Sequence, residues 1–152
     1  MSVTDATLGV MTDTDDLLLA LRATFPGTLI ERLGIELLAA DDDHVVARMP
    51  VAGNTQPHGL LHGGATAALA ETVGSFAATI HAGPGRVAVG TELSATHHRS
   101  ARDGYVTATT TALHRGRSTA TFDVAVLDDH GRRVCTARLS CMILERGAGS
   151  PA

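Results

Sequence analysis

The chain has 152 residues, enough for one ordinary domain with a buried core. It contains 12 Lys and Arg against 16 Asp and Glu, so its net charge is −4 with its 8 histidines neutral, and 44% of it is hydrophobic. A negative chain with 3 Phe, 1 Tyr and no Trp offers nucleic acid neither a basic face nor stacking platforms. This composition is typical of a globular protein and argues against a nucleic-acid-binding function.

The placement of charges and cysteines indicates the compartment. The first residues lack the positive region of a signal peptide, and no window reaches the roughly 18 uninterrupted apolar residues of a membrane span. Cys135 and Cys141 are too few and too close together for a disulfide framework. We therefore expect a cytoplasmic protein without a membrane partner.

The first half of the chain predicts one short helix, two strands and one long helix. Leu17, Leu21 and Phe25 recur at helical spacing, so residues 1–32 are interpreted as an amphipathic helix and its lead-in. Strand-like segments at residues 34–39 and 44–49 flank a turn, and a loop follows over residues 51–62. Residues 63–80, rich in alanine and almost uncharged, predict a buried helix.

The second half predicts strands separated by glycine-containing turns. They cover residues 86–99, 105–113, 119–127 and 134–144, and a meander is the simplest topology. Residues 33–146 thus form an α+β domain in which a curved antiparallel sheet wraps one long apolar helix, followed by a disordered tail over residues 147–152. One small sheet hardly covers so apolar a helix, so we expect a partner subunit.

Glu71 is the only ionisable residue of this apolar helix, and its burial costs free energy unless something compensates. No Lys or Arg lies within two helical turns, but Ser75, four residues on, shares its face. The residues leave two interpretations open. Glu71 is a functional carboxylate, or it reaches solvent or a backbone group for structural reasons.

The loop before the helix is polar and rich in glycine, and it ends in Gly63 and Gly64. Unpaired N–H groups at a helix start favour developing negative charge, although the glycines could instead only relieve crowding. From Gly63 to Glu71 is eight residues, about 12 Å along the axis, which is too far for both to touch one carbonyl. Two antiparallel copies of the helix around a twofold axis would bring the groups together.

Residues 62–72, with the sequence HGGATAALAET, resemble the signature of hot-dog-fold acyl-CoA thioesterases, in the branch of the phenylacetate-pathway and 4-hydroxybenzoyl-CoA thioesterases. Residues 89–99, 113–117 and 128–144 are also similar to 1,4-dihydroxy-2-naphthoyl-CoA hydrolases and enterobactin-pathway proofreading thioesterases. The resemblance implies a hot-dog fold whose homodimer forms one continuous sheet and pairs further into a homotetramer. It implies no cofactor.

The same resemblance implies roles for individual residues. Glu71 matches the catalytic carboxylate, and Ser75 matches the residue that helps to place it or a water. Gly63 matches the glycine whose N–H polarises the thioester carbonyl, and His62 and Gln56 match polar residues around that oxygen. Gln56, His62 and Gly63 would come from one subunit, and Glu71 and Ser75 from the other.

Polar groups in two turns are candidates for binding the phosphates of coenzyme A, because guanidinium and hydroxyl groups suit phosphate. Arg99 and Arg102 flank one turn. Four further candidates lie in and beside the next hairpin turn, namely Arg115, Arg117, Ser118 and Thr119. Solvated turns are the structural alternative, and the resemblance favours phosphate binding.

A metal site is not expected. His58 and His62 straddle Gly59 ahead of the helix, and no His-Glu-x-x-His pattern is present. The sequence therefore predicts hydrolysis of an aromatic or medium-chain acyl-CoA by Glu71, acting as nucleophile or as general base. Two alternatives remain, namely a hydratase or dehydratase on the same fold and a non-catalytic acyl-CoA binding or scaffold module.

Overall fold

The computed structural model describes residues 13–147. The helices are α1 (Asp13–Arg22), α2 (Leu29–Arg32) and α3 (Gly63–Ala82). The strands are β1 (Glu36–Ala40), β2 (Val45–Pro50), β3 (Arg86–His97), β4 (Tyr105–Arg115), β5 (Thr119–Asp128) and β6 (Arg133–Glu145). The predicted α+β architecture is confirmed, and each predicted strand and the long helix is present.

The six strands form one antiparallel sheet in the order β1-β2-β4-β5-β6-β3. A simple meander was the wrong prediction, because β3 does not pair with β4. The twenty residues of α3 span about 30 Å and carry the chain across the face of the sheet, so β3 reaches the far edge beside β6. Residues 98–104 then return the chain to β4, which pairs with β2.

The core lies between α3 and the inner face of the sheet. The buried residues of α3 recur at intervals of three and four and include Leu69, Val73 and Ala77. The predicted alternation on β5 is confirmed, since Phe122, Val124 and Val126 are buried and the residues between them are not. This packing is the hot-dog arrangement that the resemblance implies.

Glycine allows α3 to approach the sheet closely. A Cβ built on Gly74 would lie 2.6 Å from Cδ2 of Leu139 on β6, closer than real Cβ atoms come to their neighbours. Leu139 is fully buried. The contact therefore fixes how deeply the middle of α3 sits, three residues beyond Glu71.

The two edge strands of the sheet differ in whether another element covers them. β1 is covered by α1, whose Arg22 guanidinium donates hydrogen bonds of 2.6 and 3.2 Å to the carbonyl of Leu37. β3 is twelve residues long and pairs only with β6 among the residues that the structure describes. Most side chains of its central part, residues 89–92, are exposed. β3 is therefore the edge that is open to another strand.

The ends of the domain differ from the sequence prediction in detail. α1 ends at Arg22, so Phe25 lies in the following turn rather than on the helix, and its ring stacks on Phe76 at 5.8 Å between centroids. The short helix α2 was not predicted, because four residues give no periodic signal. The predicted disordered tail falls mainly on residues 148–152, which lie outside the described residues. No helix within residues 13–147 has the length and apolarity needed to cross a membrane.

Candidate active site

Glu71 lies half-buried in the middle of α3, with its carboxylate against Gly90 of β3. A Cβ built on Gly90 would overlap Oε1 of Glu71 and lie 3.3 Å from its Cδ. Burial raises the pKa of the Glu71 carboxyl above its ordinary value. Within residues 13–147 no side chain or N–H group donates a hydrogen bond to this carboxylate. Its charge is therefore destabilised and uncompensated in the single chain.

The hydroxyl groups near Glu71 are engaged differently from the sequence prediction. Thr72 Oγ1 donates to the carbonyl of Ala68, so this side chain serves the helix itself. Ser75 is half-buried, and its side chain makes no hydrogen bond to Glu71 within the described chain. The Ser75 hydroxyl remains free to hold a water or a substrate beside Glu71, and this role stays a proposal.

The loop before α3 is held by one buried amide. Asn54 is only 9% exposed, and its Nδ2 donates at 2.8 Å to the carbonyls of Leu33 and Pro50. The carbonyl of Asn54 accepts from the N–H of His62 at 2.9 Å, directly at the start of the helix. Asn54 thus links the end of α2, the end of β2 and the entry to α3, and it fixes where the first turn of α3 lies.

Gly63, the first residue of α3, opens onto a cleft of about 340 Å³. The N–H of Gly63 donates to no acceptor among residues 13–147, whereas the N–H groups of Ala65 and Thr66 bind the carbonyl of His62. Gln56 lines the same cleft, together with His97 and Arg99 from the end of β3 and its following loop. The structure thus brings Gln56 and the free N–H of Gly63 together, as the resemblance implies.

His62 occupies a different position from the other predicted members of this group. Its Nδ1 accepts a 2.8 Å hydrogen bond from the N–H of Gly64, so its ring caps α3. The ring lines a separate groove with Leu29, Leu33 and Ala68 rather than the cleft of Gln56 and Gly63. A direct contact of His62 with the substrate oxygen therefore stays a proposal, in which only Nε2 is free to take part.

Glu71 does not line the cleft of Gly63 in the single chain. The two residues are eight positions apart on α3, about 12 Å along its axis. Each is nevertheless beside the open edge strand, because Glu71 touches Gly90 and a Cβ on Gly63 would lie 3.0 Å from Nε2 of His97. Both halves of the predicted site therefore face the same edge of the molecule.

The candidate phosphate-binding residues are at opposite ends of β4. Arg102 lies in the loop before this strand, and Arg115, Arg117, Ser118 and Thr119 lie at its other end and in the turn to β5. Eleven residues of strand separate these ends by about 35 Å. Within one chain, Arg102 therefore does not join the hairpin residues, and Arg115 already donates to the carbonyl of Asp42.

The two cysteines are free and buried on β6. Burial, with a smaller contribution from the charge of Glu71, raises the pKa of the Cys141 thiol to about 11, so it is a neutral core side chain at ordinary pH. Residues 13–147 contain no group of three or more His, Cys, Asp and Glu side chains arranged to hold a metal ion.

Two residues of this region were not singled out from the sequence. The sequence does not distinguish His97 from the adjacent His98, yet His97 covers Gly63 and lines the cleft. Gly90 is a single glycine within a strand pattern, and such glycines are generally associated with bulges and close approaches of the backbone. Nothing in the sequence links it to Glu71. Its partnership with Glu71 requires knowing that β3 runs beside α3.

Known proteins resemble this chain in sequence and in fold. The model of the Thioesterase superfamily matches residues 58–135. The proofreading thioesterase EntH of Cronobacter turicensis is 49% identical over 126 residues, which are 82% of this chain and 92% of that protein.

Solved structures agree with that match. Thioesterase HI1161 of Haemophilus influenzae superposes with a TM-score of 0.84 at 31% identity, covering 94% of this chain and 97% of its own. A variant of thioesterase PA1618 of Pseudomonas aeruginosa gives 0.81 at 38% identity, covering 84% and 94%. The fold and family predictions are confirmed: the chain is a thioester hydrolase that belongs to the thioesterase superfamily.

Proposed function

We propose that the protein hydrolyses aromatic or medium-chain acyl-CoA thioesters in a homodimer, with Glu71 of one subunit acting opposite Gly63 of the other. One observation carries this proposal. The desolvated carboxylate of Glu71 and the free N–H of Gly63 lie along the same open edge strand, yet too far apart to share a substrate within one chain.

The dimer follows from the unpaired edge. β3 presents twelve residues without a second neighbour among the described strands, whereas the β1 edge is covered by α1. A twofold axis that pairs β3 with a second β3 would make one continuous antiparallel sheet and would remove this edge. It would also lay the two copies of α3 side by side in opposite directions.

The positions along β3 suggest where that axis passes. Glu71 lies beside Gly90, and Gly63 lies beside His97. An antiparallel pairing that places Gly90 of one chain opposite His97 of the other has its axis midway between them, near Leu93 and Ser94. This arrangement forms two equivalent sites, each with one Glu71 and one Gly63 from different subunits.

The chemistry needs few groups, because a thiolate leaves readily. Glu71 either attacks the thioester carbonyl to give a mixed anhydride or takes a proton from a water that attacks it. The N–H of Gly63, at the positive end of α3, stabilises the negative charge that develops on the carbonyl oxygen. Gln56 and the free Nε2 of His62 assist at that oxygen, and Ser75 holds the attacking water or the carboxylate.

We assign the coenzyme A phosphates to the hairpin of Arg117, Ser118 and Thr119, with Arg115 beside them. His81 near the end of α3 is bonded to the carbonyl of Gly116, so this hairpin lies by the end of α3 remote from Gly63. With two antiparallel copies of α3, the hairpin of one subunit approaches the Gly63 cleft of the other. Arg102, in the loop after the cleft residue Arg99, would reach the same nucleotide from the opposite subunit.

Two dimers would pair through the outer face of the sheet. Val89, Met142 and Leu144 are 49%, 44% and 43% exposed on neighbouring positions of β3 and β6. Apolar side chains grouped on one face are typical of an interface between subunits. This surface supports a homotetramer.

The test is a thiol-release assay over a panel of aryl- and alkyl-CoA thioesters, with the wild-type protein and Glu71→Gln. We expect turnover by the wild type and its loss in Glu71→Gln, with an unchanged circular dichroism spectrum. Acyl-CoA binding without thiol release would indicate a binding module. Hydration of an unsaturated acyl-CoA without thiol release would indicate a hydratase.

A further inference from the structure

We propose that Gly90 is a positioning residue for Glu71, because its missing Cβ leaves the space on the inner face of β3 in which the carboxylate lies. The catalytic part of this inference rests on the proposed function. The structural part concerns the two residues alone, and it is testable without substrate.

The space beside Gly90 has defined walls. The position that a Cβ would occupy there overlaps Oε1 of Glu71 and lies 3.3 Å from Cδ of Glu71 and 3.5 Å from Cδ1 of Leu139. Leu139 and Cys141, which pairs with Gly90 across the two strands, are both buried. The carboxylate therefore rests in an apolar niche, and any side chain at position 90 would fill it.

Glycine is needed here for space and not for backbone conformation. Eight other glycines among residues 13–147 have a positive φ, and Gly90 is not one of them. Alanine could adopt the backbone of position 90, so only the contact with Glu71 and its surroundings opposes a larger residue. This makes Gly90→Ala an interpretable substitution.

A β-bulge follows directly on Gly90. Gly90 pairs with Cys141 and Glu92 pairs with Ser140, so Thr91 is an extra residue in β3, and its Oγ1 donates to the carbonyl of Ser140 at 3.1 Å. Bulges bend a strand and redirect its side chains. The bulge turns Glu92 outward, where its side chain is 51% exposed, and keeps a second carboxylate away from Glu71.

The experiment is a double-mutant cycle of Gly90→Ala and Glu71→Ala, read by chemical denaturation of the full chain and by steady-state kinetics. We expect Gly90→Ala to lower the denaturation midpoint of the wild type. In the Glu71→Ala background the shift of the denaturation midpoint should be much smaller, because the new methyl group enters the vacated space.

We also expect kcat to fall by about 10- to 100-fold in Gly90→Ala with KM changed by less than about threefold, since a displacement near 1 Å misaligns the reacting group. Gly147→Ala, with no atom within 4 Å of its new Cβ, is the control and should keep both values.

Each outcome decides the inference. An equal shift of the midpoint in both backgrounds, or a wild-type kcat in Gly90→Ala, overturns it. If Gly90→Ala alone does not fold, recovery of folding in the double variant supports it, and failure of both variants overturns it. Full turnover by Glu71→Ala would reject the proposed function. A smaller midpoint shift for Gly90→Ala in the Glu71→Ala background would still show that the side chain of Glu71 occupies the space beside Gly90.

Discussion

Gly63 lies directly beneath the imidazole of His97, so that a Cβ on Gly63 would come within 3.0 Å of Nε2 and 3.3 Å of Cε1. The contact joins the first turn of α3 to the end of β3, and it places the free N–H of Gly63 at the wall of the cleft. The position of this N–H is therefore set by both the helix start and the edge strand.

The first prediction concerns the N–H of Gly63. Gly63→Pro removes this donor, while proline suits the first position of a helix, and the preceding His62 already has extended backbone angles of −70° and 128°. We expect kcat to fall by about 100- to 1000-fold, as for the loss of one oxyanion donor. Steady-state kinetics with an acyl-CoA measures this.

Gly63→Ala is the matched control for that variant. It introduces the same Cβ beside His97 and keeps the N–H. Equal losses in the two variants would assign the effect to crowding and would refute the role of the N–H.

The second prediction concerns pH and Glu71. Because burial raises the pKa of Glu71, hydrolysis should decline as pH falls through a value above the usual carboxyl range. The exposed carboxylate variant Glu36→Gln, on the other edge of the sheet, should leave this limb of the kcat profile in place. A profile that stays flat down to the ordinary carboxyl range would contradict the assignment.

The raised pKa of Glu71 also makes the free energy of unfolding depend on pH. A carboxyl whose pKa is higher in the folded than in the unfolded chain favours folding below the unfolded pKa, and this contribution is lost as pH rises through the folded pKa. Glu71→Gln should therefore unfold at a higher denaturant concentration than the wild type near neutral pH, and this difference should shrink in acid. Greater stability of the wild type at neutral pH would show that the charge of Glu71 is compensated.

The third prediction concerns the phosphates of coenzyme A. Arg117 is exposed, so Arg117→Ala should raise KM for acyl-CoA and leave kcat nearly unchanged. The effect should vanish for the same acyl group on N-acetylcysteamine, which has no phosphate. An equal rise of KM for both thioesters would place Arg117 at the acyl group or in the fold instead.

The fourth prediction concerns Asn54. Asn54→Ala leaves the carbonyls of Leu33 and Pro50 without their donor, so the free energy of unfolding should drop by about 1–3 kcal/mol. Asn54→Asp keeps the shape but places a carboxylate oxygen against both carbonyls, so it should lose at least as much. A stable Asp variant would show that packing, and not hydrogen bonding, holds this loop.

Local patterns were enough to predict the elements of this fold. The alternation on β5 reflects a strand that is buried on one face, and the uncharged, alanine-rich segment of α3 reflects a helix that is buried on most of its surface. Both patterns can be recognised from residues that are close together in the sequence. The predicted meander was wrong about the order of the strands, because the pairing of β3 with β6 depends on where α3 returns the chain.

The candidate site likewise contains residues that the local sequence identifies and residues that only contacts between elements identify. Glu71 was identifiable because a lone carboxylate in an apolar helix is costly, and Gly63 because it begins that helix. Gly90 and His97 could not be identified as site residues from the sequence, because their roles depend on contacts between α3 and β3. The capping role of His62 was also missed, since a histidine before a helix does not reveal which way its ring turns.

The most direct test of the shared site is a heterodimer of two inactive variants. Glu71→Gln and Gly63→Pro are expressed together with different affinity tags. The assemblies are first dissociated to dimers, because the two tags of a tetramer can lie on different dimers, and the mixed dimer is then isolated through both tags. It contains one site with an intact Glu71 and an intact Gly63, and one site that lacks both.

We expect this mixed dimer to recover about half of the wild-type kcat per dimer, whereas each variant purified alone keeps at most about a hundredth of it. A mixed dimer no more active than its parents would rule out a site shared between subunits, because Glu71 and Gly63 would then have to act from the same subunit.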